Sequence, residues 1–310
     1  MNETRARVLA ALAAGPVSGP ELAASLDISR AAVWKHVEGL RDAGFTIESG
    51  DEGYIIADVP EYGGPAVEYG LEAPYTIEYH DSIDSTNRRA RDLAKDGAEN
   101  VVVLSDEQVG GRGRLNREWV APAGGIWMSV VIRPDLPAAH APLLTLGAAV
   151  AVTRAAREAG VEAVIKWPND VLVTTDDGEK KLCGILTEMS GEADRVSWVV
   201  VGIGVNANLT RDQIPETGTS LLVERGEVNR RVFVQRVLEE FHDLVSESDD
   251  ILSAWREYAH TLGQRVRVET PNGDVVGKAV DVEFPGTLCI ETDEGLVRVS
   301  SGDCDHLRPV

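Results

Sequence analysis

Between Val164 and Val173 the chain reads Val-Ile-Lys-Trp-Pro-Asn-Asp-Val-Leu-Val, two apolar strand halves split by a polar stretch that contains a proline. Proline has no N–H to give to a ladder, so this run cannot be one central strand. It must turn between its halves. Lys166, Asn169 and Asp170 are costly to bury without partners. The corner is therefore either a plain turn closed by an Asp170–Lys166 pair or a place where polar groups meet a ligand.

A second stretch, Gly110 to Trp119, packs Gly-Gly-Arg-Gly-Arg-Leu-Asn-Arg-Glu-Trp into a chain whose net charge is -21. Glycines let backbone N–H groups approach a ligand closely, and arginine forks suit anionic oxygens. Taken alone, the stretch is equally a glycine-rich turn with solvated arginines or an anion-binding loop. The charge around it is diffuse: 51 acidic residues against 30 basic ones, of which only six are lysine. A lysine-poor acidic surface of this kind fits adaptation to high salt, where carboxylates hold hydration and salt screens their repulsion. Lys166, Lys180 and Lys181 make up half of all the lysines, within sixteen residues.

The first sixty residues predict three helices and a hairpin. Val8, Leu9 and Leu12 give Thr4 to Ala14 a helical face, Pro20 opens a second helix to Leu26, and Ser29 caps a third from Arg30 to about Asp42. Phe45 to Glu48 and Gly53 to Ile56 alternate as two strands. This order predicts a winged helix-turn-helix whose third helix presents Ser29, Arg30, Lys35 and His36 to DNA. A small helical protein-binding domain is the competing reading. Five Lys/Arg against nine Asp/Glu in this segment give DNA affinity no general electrostatic support. Asp58 to Pro74 reads as a linker.

From Tyr75 onward strands and helices mix. Tyr75–Tyr79, Val101–Leu104 and Gly125–Ile132 alternate as strands, and Leu143–Ala159 reads as a buried helix. Ser85, Thr86 and Asn87 sit at a strand-to-helix corner, which suits capping and small-ligand binding equally. Beyond an acidic hairpin tip comes Lys180-Lys181-Leu182-Cys183-Gly184-Ile185-Leu186. Then Trp198–Val201 runs into Gly202-Ile203-Gly204-Val205-Asn206, where the glycines let a strand end pass close to a ligand. Val228–Val245 and Ile251–Leu262 predict two more helices. The short alternating runs after Gly263, broken by turns at Pro271-Asn272-Gly273-Asp274 and Pro285-Gly286, predict a small SH3-like β-barrel.

Asp84-Ser85-Thr86-Asn87, Gly111-Arg112-Gly113-Arg114, Lys166-Trp167-Pro168-Asn169-Asp170, Lys181 to Leu186 and Gly202 to Asn206 together resemble the biotin protein ligase family. The likeness is to its members with an N-terminal DNA-binding domain, the bifunctional biotin operon repressors. It spans most of residues 75–210 in the family's order. One departure is Asn116, near which the family often has a further glycine.

The resemblance implies an α+β protein with a winged helix-turn-helix over 1–60, a linker over 61–74, a mixed-sheet catalytic domain over 75–261 and an SH3-like domain over 262–310. It implies that ATP and biotin form biotinyl-5'-AMP, which then passes to a lysine of a biotin carboxyl carrier protein. Lys181 would bridge carboxylate and phosphate, Asp170 would orient it, and Arg114 would close over the phosphate. Alternation along the strand points Lys180 the other way. Ser85, Thr86, Asn87, Gln108, Gly111, Arg112, Gly184, Leu186 and Gly204 would bind biotin. Trp119, Lys166, Asn169 and Asn206 would face the adenylate. Mg²⁺ would ride on the phosphates, with no protein-only metal cage. The Gly110–Trp119 loop would be a lid with Gly111 and Gly113 as hinges. The adenylate would favour a homodimer paired through the central sheets and able to bind an operator.

Two alternatives stand beside this: a ligand-sensing transcription factor without catalysis, and a lipoate–protein ligase. The N-terminus lacks a secretory pattern and no run approaches the roughly 20 apolar residues of a membrane span, so a cytoplasmic protein without membrane contact is expected. Cys183, Cys289 and Cys304 lack metal-ligand spacing and are expected to be reduced.

Overall fold

The structure, a computed structural model, describes residues 3–192, 194–247, 250–271 and 273–307. Asn272, expected in a turn, lies outside the described residues. Helices α1 (Glu3–Ala13), α2 (Gly19–Leu26) and α3 (Arg30–Arg41) precede a hairpin of β1 (Thr46–Gly50) and β2 (Gly53–Asp58). Val8, Leu9, Leu12, Leu22, Val33, Val37 and Leu40 form a core separate from the rest of the chain. Two N-caps set the corners. Ser18 and Glu21 form a capping box on α2, and the Ser29 hydroxyl accepts from Ala32 N–H at 3.1 Å on α3.

The expected linker is not free chain. It contains α4 (Gly64–Glu68), whose Ala66 and Val67 are fully buried. The Gln235 amide donates to the carbonyls of Val67 and Tyr69 at 2.9 and 2.7 Å, holding the segment on the central unit.

The central unit begins with β3 (Thr76–Ile83), α5 (Thr86–Lys95), β4 (Val101–Gln108), β5 (Ile126–Ile132) and α6 (Pro142–Glu158). It continues with β6 (Ala163–Lys166), β7 (Asp170–Thr175), β8 (Gly178–Gly191), β9 (Val196–Val205), α7 (Leu221–Glu224), α8 (Arg230–Ser246) and α9 (Ile251–Tyr258). The seven strands lie in the order β3-β4-β5-β9-β8-β7-β6, with only β3–β4 parallel. The period-two alternation of β4 and β5 separates two layers. Val102, Leu104, Met128 and Val130 join the cluster around α6, α8 and α9, while Val103 and Val131 pack against Ala90 and Ala94 of α5. The expected helix to Leu262 stops at Tyr258, because Ala259 instead pairs in parallel with Ile165 along β6.

Five strands close the chain: β10 (Arg265–Thr270), β11 (Gly273–Glu283), β12 (Thr287–Thr292), β13 (Gly295–Val299) and β14 (Asp303–His306). Their order is β13-β12-β11-β10-β14, all antiparallel, and the two end strands are unpaired with each other among the described residues. This is an open sheet where a closed SH3-like barrel was expected. Its apolar face (Val266, Val268, Ala279, Val282, Leu288, Ile290) is continuous with the central core, so the central unit covers what closure would have covered. Trp167 is the main peg between them: fully buried, its Nε1–H donates to the Gly286 carbonyl at 2.9 Å.

Candidate active site

A cavity of about 400 Å³ opens at the N-terminal end of α5, on the face of the sheet that α5 covers. It exists because the sheet lacks side chains there. Gly184 of β8 and Gly202 and Gly204 of β9 follow one another on that face. A Cβ at Gly202 would collide with the Asn87 amide, and one at Gly204 would stand 3.0 Å from the Trp119 indole.

One wall is the start of α5. Ser85 caps the helix, and Thr86 N–H and hydroxyl both donate to Gln108 Oε1, at 2.8 and 3.0 Å. The buried Ser129 hydroxyl lies 2.8 Å from Thr86 Oγ1 and 2.6 Å from Asn87 Oδ1. Asn87 donates onward to the Leu186 carbonyl and to Glu188. Ser85, Thr86, Asn87, Gln108, Arg112, Gly184, Leu186 and Gly204, all expected at biotin, line this cavity. Gly111 does not. A Cβ there would meet the Trp119 carbonyl at 2.5 Å, so this glycine serves the close pairing of the loop with itself.

Opposite stands Lys181, its Nζ 2.6 Å from Asp170 Oδ1 and 5.1 Å from the centre of the Trp119 ring. A bulge places it there. β7 pairs Val171 with Cys183 and Leu172 with Lys181, so Leu182 is the extra residue. Leu182 and Cys183 both enter the α6-side core, and the alternation restarts with Lys181 facing the cavity. Plain alternation would have set Lys181 opposite Gly184. Lys180 donates to the Glu216 carbonyl at 2.8 Å and does not line the cavity. Burial pushes the Cys183 thiol far above its ordinary range, so it stays neutral beside this charged pair.

At the Lys166–Asp170 corner the two residues are backbone partners closing the β6–β7 turn, but their side chains do not pair: Asp170 takes Lys181. Asn169 is clamped: its carbonyl accepts from Ile185 N–H at 2.9 Å, and its Nδ2 donates to the Ile185 carbonyl at 2.8 Å. Its Oδ1 then accepts from Arg114 at 3.0 Å. Asn206 also lines the cavity, but its Nδ2 is spent on the Lys181 and Thr219 carbonyls. Lys166, expected at the adenylate, is absent from the lining. Its Nζ turns toward Asp305 of the C-terminal sheet, 3.9 Å away.

The loop covers the cavity's mouth. The backbones of Arg112 and Glu118 pair in an antiparallel bridge, Gly113 N–H donates to the Arg117 carbonyl, and Trp119 N–H donates to the Gly111 carbonyl. Its left-handed residues are Leu115 (φ 54°) and Asn116 (φ 58°), so the turn lies there and not at the glycines expected as hinges. Asn116 thereby finds its place: asparagine tolerates the conformation that glycine adopts freely. Trp119, expected at the adenylate, lies over Gly184 and Gly204. Asp303 of β14 lines the cavity from the C-terminal sheet, 3.5 Å from Arg114 and 2.5 Å from Arg117. Neither Asp303 nor Ser129 was singled out from the sequence; each comes from a distant segment with no motif around it.

A model described as the Biotin/lipoate A/B protein ligase family matches residues 79–206. One described as the Biotin protein ligase C terminal domain matches 261–307, and an HTH domain matches 4–55. The chain is 38% identical over 307 residues to the bifunctional ligase/repressor BirA of Bacillus subtilis, covering 93% of each. The chain belongs to the biotin protein ligase family. It is also 34% identical over 238 residues to the biotin--[acetyl-CoA-carboxylase] ligase of Mycobacterium tuberculosis, covering 72% of this chain and 86% of that one. Among solved structures it is similar to the biotin protein ligase of Aquifex aeolicus in complex with biotin and ATP (TM-score 0.63, 27% identity, 74% of this chain and 99% of that one).

In this biotin protein ligase family member the winged helix presents α3 outward. Arg30, Lys35 and Trp34, the last 58% exposed, share its free face. Ser29 is occupied in capping. Partial burial, with Arg5 and Lys35 nearby, lowers the pKa of His36, so it adds no charge at neutral pH. Trp34 was not foreseen, since a tryptophan beside a helical apolar stripe reads as core. Among the described residues no helix is long and apolar enough to cross a membrane.

Proposed function

We propose that this chain is a biotin protein ligase: it joins biotin to ATP as biotinyl-5'-AMP and passes the biotinyl group to a lysine of a biotin carboxyl carrier protein. The observation that carries the reading is the glycine-floored cavity with Lys181–Asp170 on one wall, Thr86–Gln108 on another and an arginine loop over its mouth. The first step brings a carboxylate against a triphosphate, so the site must neutralise both anions and the charge growing on the α-phosphate. Lys181 sits where it can touch carboxylate and phosphate together. Asp170 positions its ammonium, and Asn169 holds Arg114 over the same space. The polar wall of Ser85, Thr86 and Gln108 suits the ureido end of biotin, and the bare glycines leave room for its ring. Mg²⁺ enters with the triphosphate. In the second step an uncharged carrier lysine attacks the mixed anhydride carbonyl and AMP departs. Exclusion of water by the loop protects that anhydride.

The winged helix makes the chain a biotin-responsive DNA-binding repressor in this proposal, with an operator read by the α3 face. Dimerisation through the central sheets falls to the β3 edge, because Ala259 already covers β6. The acidic surface sets a high working salt.

The test is biotinylation of a carrier domain by the purified chain with biotin and MgATP, from dilute to molar KCl. Transfer that rises with salt is expected. No transfer at any salt would leave a ligand-sensing transcription factor, and preference for lipoate in competition would leave a lipoate ligase. Footprinting with and without biotin and MgATP checks the repressor; one unchanging pattern would reduce the winged domain to a structural appendage.

A further inference from the structure

Away from this cavity, three metal-ligating side chains converge where the central unit meets the C-terminal sheet. Glu179 opens β8, His260 follows α9, and His306 ends β14. One ligand atom from each lies within 4.8 Å of the others. His260 Nε2 and His306 Nδ1 are 3.1 and 2.8 Å from the same oxygen, Glu179 Oε1. We propose that Glu179, His260 and His306 bind one divalent transition-metal ion of the zinc class, which ties the C-terminal sheet to the strand carrying Lys181.

The donor set fits that ion. Two imidazoles and a carboxylate are a zinc-type trio, whereas Mg²⁺ and Ca²⁺ prefer oxygens alone. Bonds of about 2.0–2.1 Å in a tetrahedron set ligand atoms roughly 3.3 Å apart, close to the two histidine–glutamate spacings here. The His306 ring, 7% exposed, is held by its other nitrogen, with Nε2 3.0 Å from Thr261 Oγ1. That oxygen already accepts Trp167 N–H at 2.9 Å and has a second lone pair for His306 Nε2–H. With the ion bound, a proton on Nε2 would leave Nδ1 bare toward the metal, which is how a ligating histidine is commonly oriented. His260 is fixed through its backbone N–H, which donates to the Ile165 carbonyl at 2.8 Å. Glu179 and His260 are partly exposed, at 30% and 26%, leaving an entry path and a position for water. The ion would displace protons shared between rings and carboxylate and release them to solvent.

Its place gives it a consequence. Glu179 lies two residues before Lys181, and His306 three residues after Asp303, the residue that meets Arg114 and Arg117. One ion would therefore fix the catalytic strand relative to the anchor of the loop.

The test strips the full chain with a chelator and titrates it, without nucleotide, with Zn²⁺ and then Co²⁺. Expected are one ion per chain by equilibrium dialysis, a tetrahedral Co²⁺ visible spectrum, and a thermal midpoint raised on the order of 5 °C by saturating zinc. His260→Gln, His306→Ala and Glu179→Gln should each weaken binding by more than about 100-fold, with far-UV spectra confirming that they fold. No stoichiometric ion on the parent chain, or equal binding by all three variants, would overturn the site and leave a hydrogen-bonded clasp.

Discussion

The Lys166–Asp170 corner and the Gly110–Trp119 loop both bring cationic chemistry to one cavity, yet they are held in opposite ways. The corner is locked from both sides. Trp167 is fully buried, and Asn169 uses both its backbone and its side chain on Ile185. The loop is held by three backbone hydrogen bonds at its neck, with Leu115 76% exposed at its tip. Besides Gly110 N–H to the Asp84 carbonyl and the Trp119 ring against Lys181, Gly184 and Gly204, its outward contacts are Arg114 to Asn169, Gly302 and Asp303, and Arg117 to Asp303. The corner thus supplies fixed groups, and under the proposed function the loop supplies groups that leave and return. For a reaction with a hydrolysable intermediate this division is useful: activation needs preorganised charge, and retention needs a cover that opens for the carrier.

Removing the fixed charge should have the largest effect. Lys181→Ala is expected to lower adenylate formation by at least about 10³-fold, read as pyrophosphate release, with the thermal midpoint nearly unchanged. Normal turnover would break the assignment. Next comes Asn169→Ala, which strips a carbonyl and an arginine of their partner. A loss of roughly 2 kcal/mol in stability and a rate loss on the order of 100-fold are expected; an unchanged denaturation midpoint would show that the corner is not locked as described. The loop should answer differently. Arg114→Gly is expected to keep biotin activation while releasing biotinyl-AMP about tenfold faster, seen by trapping the free adenylate. Tight retention by that variant would erase the contrast between corner and loop.

Much of this was legible in the residues. Helical and alternating periodicities located nearly every long element, and Gly202 and Gly204 marked the strand end that runs beside the cavity. What stayed hidden depends on partners far along the chain. The bulge at Leu182 follows from pairing between β7 and β8, and no local pattern distinguishes it from simple alternation, which alone would turn Lys181 away. Lys166 reads as an adenylate contact beside Asn169 and Asp170, but its ammonium faces Asp305 instead. The segment around α4 has a linker's composition and becomes core only because Gln235 and α8 receive it. The open C-terminal sheet looked like a barrel because its strands alternate as barrel strands do. A neighbouring core, not its own sequence, makes closure unnecessary.

The smallest effects concern the frame behind the cavity. Arg89 of α5 grips Glu78 of β3 through two hydrogen bonds, 2.6 and 2.9 Å, and His80 adds a contact at 2.9 Å. The Arg89 hydrogen bonds hold the Glu78 carboxyl below its ordinary range, with His80 contributing less. A carboxyl depressed in the folded state binds fewer protons there than in the unfolded chain. Its stabilisation is therefore complete above the unfolded value near 4.5 and is lost as pH falls through the folded one. Glu78→Gln should lower stability at pH 7 by less than about 1 kcal/mol, since the pair is partly exposed. The gap between parent and variant should shrink as denaturant melts are repeated from pH 5 downward. Molar KCl should narrow it at every pH by screening the pair. A gap independent of both pH and salt would mean that Glu78 acts by packing, and that α5 is held to β3 by its apolar face alone.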